Sequence, residues 1–186
     1  MSTTAIEFNP LMIKIKSDRL CLEFFTRDHI TQQYVQWLND PMVVRYSEQR
    51  HYRHTHESCE CYLKSFSETT HLFLAISLLN TGEHIGNITA HIDIYNNIAD
   101  MGILIGEKKY WGKGYGLEAW KRLCEYLFSM GIRKITAGTM TSNGGMFKIM
   151  QRAGMQIEGY RYKHFLCENI ATDIVYTALF NPKIEH

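Results

Sequence analysis

The chain has 186 residues, of which 45% are hydrophobic and 21% charged, with a formal net charge of +1. These values describe one ordinary globular domain, 1–186, long enough to bury a sizeable core. They give no electrostatic reason to propose nucleic acid as the main partner, and no apolar run approaches the roughly 20 residues of a membrane span.

The N-terminal Met-Ser-Thr-Thr-Ala-Ile-Glu has neither a basic region nor an apolar core, so no signal peptide is expected and cytoplasm follows. Residues 1–17 read as a loose lead-in. Arg19–Phe25 alternates as a first strand. Asp28 is expected to cap a helix through Asp40, with Ile30, Tyr34, Trp37 and Leu38 inward and Pro41 ending it. Arg45, Arg50, Arg53 and His54 follow as a basic cluster, expected to be a solvated loop.

Thr55 reads as the N-cap of a helix from about His56 to Phe66, with Cys59, Tyr62, Leu63 and Phe66 on one face. His51, His54, His56, Cys59 and Cys61 lie close in sequence. However, Cys61 falls off that face and there is no paired Cys-x-x-Cys element, so no metal is expected. The five cysteines are an odd number without regular spacing, which suits reduced thiols.

Leu72–Leu79 reads as a buried strand, Asn80–Glu83 as a turn, and Ile85–Tyr95 as the returning strand. On that strand Ile88, Ala90, Ile92 and Ile94 share one face, and Thr89, His91, Asp93 and Tyr95 share the other. Asn96-Asn97 turns into a strand ending at Gly106, where Met101, Ile103 and Ile105 alternate with Gly102, Leu104 and Gly106.

Gly112, Gly114 and Gly116 then occupy every second position before a helical pattern opens at Leu117. Lacking a β-carbon, such glycines let successive N–H groups converge on one concavity, at the positive end of a helix dipole. With Lys108, Lys109 and Lys113 nearby, the loop is suited to a phosphate or pyrophosphate. It is not a Walker loop, since no Gly-Lys-Ser/Thr follows, and it lacks the Gly-x-x-Gly spacing of a dinucleotide fingerprint.

Gly131 ends the long helix, and Lys134–Met140 is the next strand. Asn143 opens a short helix whose Met146, Ile149, Met150 and Ala153 form an apolar stripe, read as core. Ile157–Leu166 and Ile170–Leu179 form a final hairpin, turning at Glu168-Asn169. The order of elements predicts an α/β (α+β) domain with a mixed, mostly antiparallel twisted sheet of about six to seven strands and about four helices.

Residues 111–119, Trp-Gly-Lys-Gly-Tyr-Gly-Leu-Glu-Ala, resemble the acetyl-coenzyme A pyrophosphate loop of the GNAT superfamily of N-acetyltransferases. Gly114 and Gly116 match its glycines, and Trp111 stands where Gln or Arg is usual. Trp37-Leu-Asn-Asp-Pro41 with Val43, Val44 and Tyr46 resembles the RimJ/RimL-type branch, which acetylates ribosomal proteins and small amines.

The resemblance implies a GNAT-like fold with acetyl-CoA as cosubstrate. It places the diphosphate on Trp111, Gly112, Lys113, Gly114, Tyr115, Gly116 and Leu117, and the pantetheine arm along Leu104 and Ile105 with Asn143. Met146 and Met150 stand where some members carry Ser or Tyr as proton donor, so the usual acid assignments fail here. His91, Asp93 and Asp100 are the candidate bases, and Tyr160 and Tyr162 the candidate thiolate proton donors. The implied reaction is direct acetyl transfer to a primary amine, on a small molecule or a protein N-terminus, with a homodimer left open. The alternatives are an aminosugar-nucleotide acetyltransferase of surface-polysaccharide synthesis, for which the basic cluster would serve, and a non-catalytic acyl-CoA sensor.

Overall fold

The computed structural model describes residues 13–184. Eight strands form one sheet: β1 (Lys14–Lys16), β2 (Leu20–Phe24), β3 (Leu72–Leu78), β4 (His84–Asp93), β5 (Ile98–Ile105), β6 (Lys134–Met140), β7 (Gln156–Cys167) and β8 (Ile170–Phe180). Their spatial order is β1-β2-β3-β4-β5-β6-β8-β7. Every neighbouring pair is antiparallel except β5–β6. Four helices complete the domain: α1 (Gln32–Asn39), α2 (His56–Lys64), α3 (Tyr115–Ser129) and α4 (Gly144–Arg152).

The sheet has one strand more than expected. The addition, β1, lies at the end of the stretch read as lead-in; its three residues are too few to show a period, and pairing with Cys21–Glu23 supplies the order. Residues 1–12 of that lead-in lie outside the described residues.

A second difference concerns the first helix. Asp28 does not cap it. Residues Arg27–His29 form a separate 3-10 turn, closed by Thr26 N–H donating to His29 Nδ1 at 3.0 Å. Ile30 then leaves helical geometry at φ −80°, ψ 66°, and Thr31 restarts the chain as N-cap, its Oγ1 accepting from Tyr34 N–H at 3.2 Å.

Helices α3 and α4 cover one face of the sheet, where Trp120, Leu123 and Leu127 meet Ile85, Ile88, Ala99, Met101 and Ile135. Helices α1 and α2 cover the other, where Tyr34, Trp37 and Leu38 pack with Phe25, Phe73 and Leu104. Strand β5 serves both layers by its alternation. Met101, Ile103 and Ile105 enter the α3–α4 core, whereas Gly102, Leu104 and Gly106 face α1 and α2. Gly102 on that second face leaves room beside the strand, while Gly106 admits the Trp37 indole.

Among the described residues all five cysteines are free. No group of three or more His, Cys, Asp or Glu there could hold a metal ion, and no helix is long and apolar enough to cross a membrane.

Candidate active site

The site begins where β5 and β6 part. Their parallel pairing is confined to Ile98–Lys134, Ala99–Ile135 and Asp100–Thr136. Beyond Asp100 the two strands share no register, so the edge of β5 from Met101 to Leu104 opens onto a slot. A cavity of about 660 Å³ fills it, lined by Met101–Leu104, Gly138, Thr139, Asn143 and Met146 on one side. The opposite wall comes from Tyr34 and Leu38, from Tyr46, Ser47, Gln49, Tyr52, Arg53 and His54, and from Ser58, Cys59 and Tyr62 of α2.

At the far end of β5 the chain passes through a 3-10 turn, Lys108–Tyr110, into the glycine loop. Gly112 and Gly114 adopt left-handed backbone at φ +71° and +84°, which glycine reaches without strain. Helix α3 starts at Tyr115, two residues before the apolar period shows it, with Gly114 as N-cap. The first hydrogen bond into the helix is Glu118 N–H to Gly114 O at 3.0 Å. Among the described residues, the amides of Lys113, Gly114, Tyr115, Gly116 and Leu117 donate to no other part of the chain. They are unpaired donors at the positive end of a helix of 15 residues.

The loop is fixed from two directions. Trp111 Nε1–H donates to the carbonyl oxygen of Ile105 at 2.7 Å, tying the loop to the end of β5. That bond also occupies one of the backbone groups expected to meet the pantetheine arm, and Ile105, unlike Leu104, does not line the cavity. Arg19 binds Glu118 at 2.6 Å, donates to Lys113 O at 3.2 Å, and stacks 4.1 Å over the Tyr115 ring. Burial alone would raise the Glu118 carboxyl, but hydrogen bonds from Ser17 and Arg19 outweigh it and hold the pKa below the usual value.

Of the three lysines expected to charge the loop, two are paired elsewhere: Lys108 with Asp40, and Lys109 with Glu83 at 2.6 Å. Lys113 has no carboxylate partner among the described residues.

Asn143 caps α4, its Oδ1 accepting from Met146 N–H at 3.1 Å, while its Nδ2 donates to Thr139 Oγ1 at 3.1 Å. The cap therefore also fixes β6 where it lines the cavity. Met150 is fully buried, but Met146 of the same stripe reaches the cavity.

The five residues read as acid–base candidates lie away from this lining. His91 is exposed beside Phe66 and His71. Asp93 holds the β4–β5 turn by accepting from Tyr95 N–H and Asn96 N–H, each at 3.0 Å. Asp100 accepts from Thr136 Oγ1–H at 2.7 Å, at the last paired position of β5 and β6. Tyr160 stacks with Tyr162 on the exposed hairpin, ring centroids 6.4 Å apart. Residue spacing places groups on a strand face but not against a cavity.

The basic cluster is not simply a solvated loop. Residues Glu48–His51 form a 3-10 turn. Arg45 pairs with Glu168 at 2.8 Å, and Arg50 donates to Ser47 O at 2.8 Å and Leu166 O at 3.1 Å, binding the segment to the β7–β8 hairpin. Asn39 clasps the backbone of His54 with both ends of its carboxamide, at 2.9 Å each. The His54 ring stands 3.1 Å, through Nε2, from Gln49 O. A carbonyl oxygen only accepts, so that ring nitrogen carries the hydrogen, and in the neutral ring Nδ1 is then the acceptor.

The chain matches the family described as "Acetyltransferase (GNAT) domain" over residues 19–156. Its fold is that of an acetyltransferase (GNAT family) from Bacillus anthracis, with TM-score 0.79 at 23% identity over 92% of this chain and 100% of that one. RimL, a ribosomal L7/L12 alpha-N-protein acetyltransferase in complex with coenzyme A, superposes with TM-score 0.80 at 17% identity, covering 90% and 98%. Spermidine N-acetyltransferase from Vibrio cholerae, in complex with coenzyme A and spermine, gives TM-score 0.80 at 18% identity over 90% and 98%. At these identities the likeness is one of fold. No curated protein matches the sequence.

Proposed function

The chain belongs to the GNAT acetyltransferase family, and from that premise we propose that it transfers the acetyl group of acetyl-coenzyme A directly to the nitrogen of a primary amine. The observation that carries the reading is the divergence of β5 from β6 beyond Asp100, beside a helix that starts with five unpaired amides. The cosubstrate supplies an activated thioester. The amides of Lys113–Leu117 would hold its diphosphate, with Lys113 adding charge and Trp111 and Gly112 setting the loop. The open edge of β5 at Leu104 and the capped start of α4 at Asn143 would flank the pantetheine arm.

Transfer forms a C–N bond and breaks a C–S bond, so one proton must leave the nitrogen and one must reach the thiolate. We assign the first task to His54 Nδ1, oriented toward acceptance by the Nε2 contact to Gln49 O. No enzyme thiol is required. Cys124, on the apolar face of α3, is buried, and burial with the nearby Glu125 pushes its pKa up to about 12. Tyr34 lines the same cavity, and burial raises its pKa, so it stays protonated. Two ordered walls facing one slot supply the remaining catalysis by positioning a reactive thioester against an amine.

The test is calorimetric titration with coenzyme A, then thiol release from acetyl-coenzyme A across a panel of amines. Coenzyme A binding with amine-dependent thiol release is expected. Binding without turnover on any amine would favour a sensor, and no binding would remove the reading altogether.

A further inference from the structure

The cavity is charged on one side only. Among its lining residues, taken over the described residues, there is no Asp or Glu, and Arg53 stands on the wall opposite β5. Two other cations of the same cluster, Arg45 and Arg50, are paired with Glu168 and Glu48. Arg53 is exposed and has no hydrogen-bond or ion-pair partner among the described residues. A polyamine entering here would meet Arg53 and find no carboxylate to pair with.

Resting on the reading of this cavity as an amine-acetylation site, we propose that the acceptor is a small primary amine carrying a carboxylate or phosphate group. The Arg53 guanidinium pairs with that anion. A guanidinium presents a planar fork of donors matched to either anion, which fixes orientation as well as affinity. Size supports a small acceptor. The volume of about 660 Å³ is that of a small-molecule site, and it also takes in the slot along β5. The Arg45–Glu168 and Arg50–Leu166 contacts tie the acceptor wall to the β7–β8 hairpin, closing that side to a broad protein surface.

The experiment compares kcat/KM within matched pairs: glucosamine against glucosamine 6-phosphate, and 4-aminobutanol against 4-aminobutyrate. Spermine and a peptide with an acidic second residue complete the panel. The anionic member of at least one pair is expected to react about tenfold faster or better, the two pairs distinguishing phosphate from carboxylate. Arg53→Gln should collapse that ratio through KM, with coenzyme A affinity unchanged. Equal rates within both pairs, preference for spermine or the peptide, or an unaltered ratio in Arg53→Gln would overturn the proposal while leaving amine acetylation standing. Absence of turnover with every amine would overturn both.

Discussion

The indole of Trp37 rests on the α-carbon of Gly106: a Cβ added to that glycine would stand 2.1 Å from Trp37 Cδ2. This contact seats α1 against the end of β5, just before the chain enters the glycine loop. Helix position and loop position are therefore linked through one missing methyl group.

Gly106→Ala should consequently destabilise the fold. Overpacking of this kind costs about 1–3 kcal/mol, which for a domain of this size lowers the melting temperature by several degrees. Thermal unfolding followed by circular dichroism checks it. A variant that melts with the wild type would show that Trp37 moves aside freely.

Gly114→Asp tests the loop. The position is left-handed at φ +84° and caps α3, so a side chain adds backbone strain and a negative charge where an anion is expected. Gly82, at φ +70° in the β3–β4 turn, offers the matched control for strain alone. Coenzyme A affinity should fall at least about tenfold in Gly114→Asp and stay unchanged in Gly82→Asp, both read by calorimetry. Equal affinity in a folded Gly114→Asp protein would show that the diphosphate binds elsewhere.

His54→Gln keeps a polar side chain but removes the acceptor nitrogen assigned to the departing proton. With the best amine found, kcat should fall about 10²–10³-fold while coenzyme A affinity is retained. A loss below threefold would return the proton to another group, with Asp100 and His91 the next to substitute.

His84 predicts an acid-labile fold. Burial lowers its pKa, the neighbouring His29 lowers it further, and the Gly86 carbonyl only partly compensates, leaving a value of about 4. The ring sits among Phe25, Tyr34 and Trp37, with its Nε2 2.8 Å from Gly86 O. Unfolded, the same histidine binds a proton near its ordinary value of 6.5. Between the two values the unfolded chain carries more protons, so this group's contribution is complete above 6.5. It is lost as pH falls toward and through about 4, at up to about 1.4 kcal/mol per pH unit. Urea midpoints at a series of pH values should show the wild type weakening more steeply than His84→Phe over that window. Parallel curves would place the lability elsewhere.

Much of the architecture is legible in the chain because its causes are local. The apolar run along Leu72–Leu78, the alternation along Met101–Ile105, the Thr55 cap and the glycines at 112, 114 and 116 act within a few residues of themselves. What misled were also local signals with distant competitors. Asp28 looks like a cap, yet the Thr26–His29 pair closes a turn first. Three lysines look like charge for the loop, yet Asp40 and Glu83 arrive from elsewhere to take two of them.

From its residues alone, then, the chain settles the mixed sheet, the strand–glycine loop–helix unit and hence the kind of cosubstrate the loop resembles a cradle for. Only the folded molecule decides what faces the acceptor. The cavity joins segments around residues 34–62, 87–104 and 138–146, which no periodicity relates. Their meeting depends on packing across the sheet, where Gly102 leaves space, Gly106 admits the Trp37 indole, and the Arg45 and Arg50 contacts hold the wall in place. Charge at a site is a sum over such neighbours, so Arg53 stands out only after every other partner has been placed.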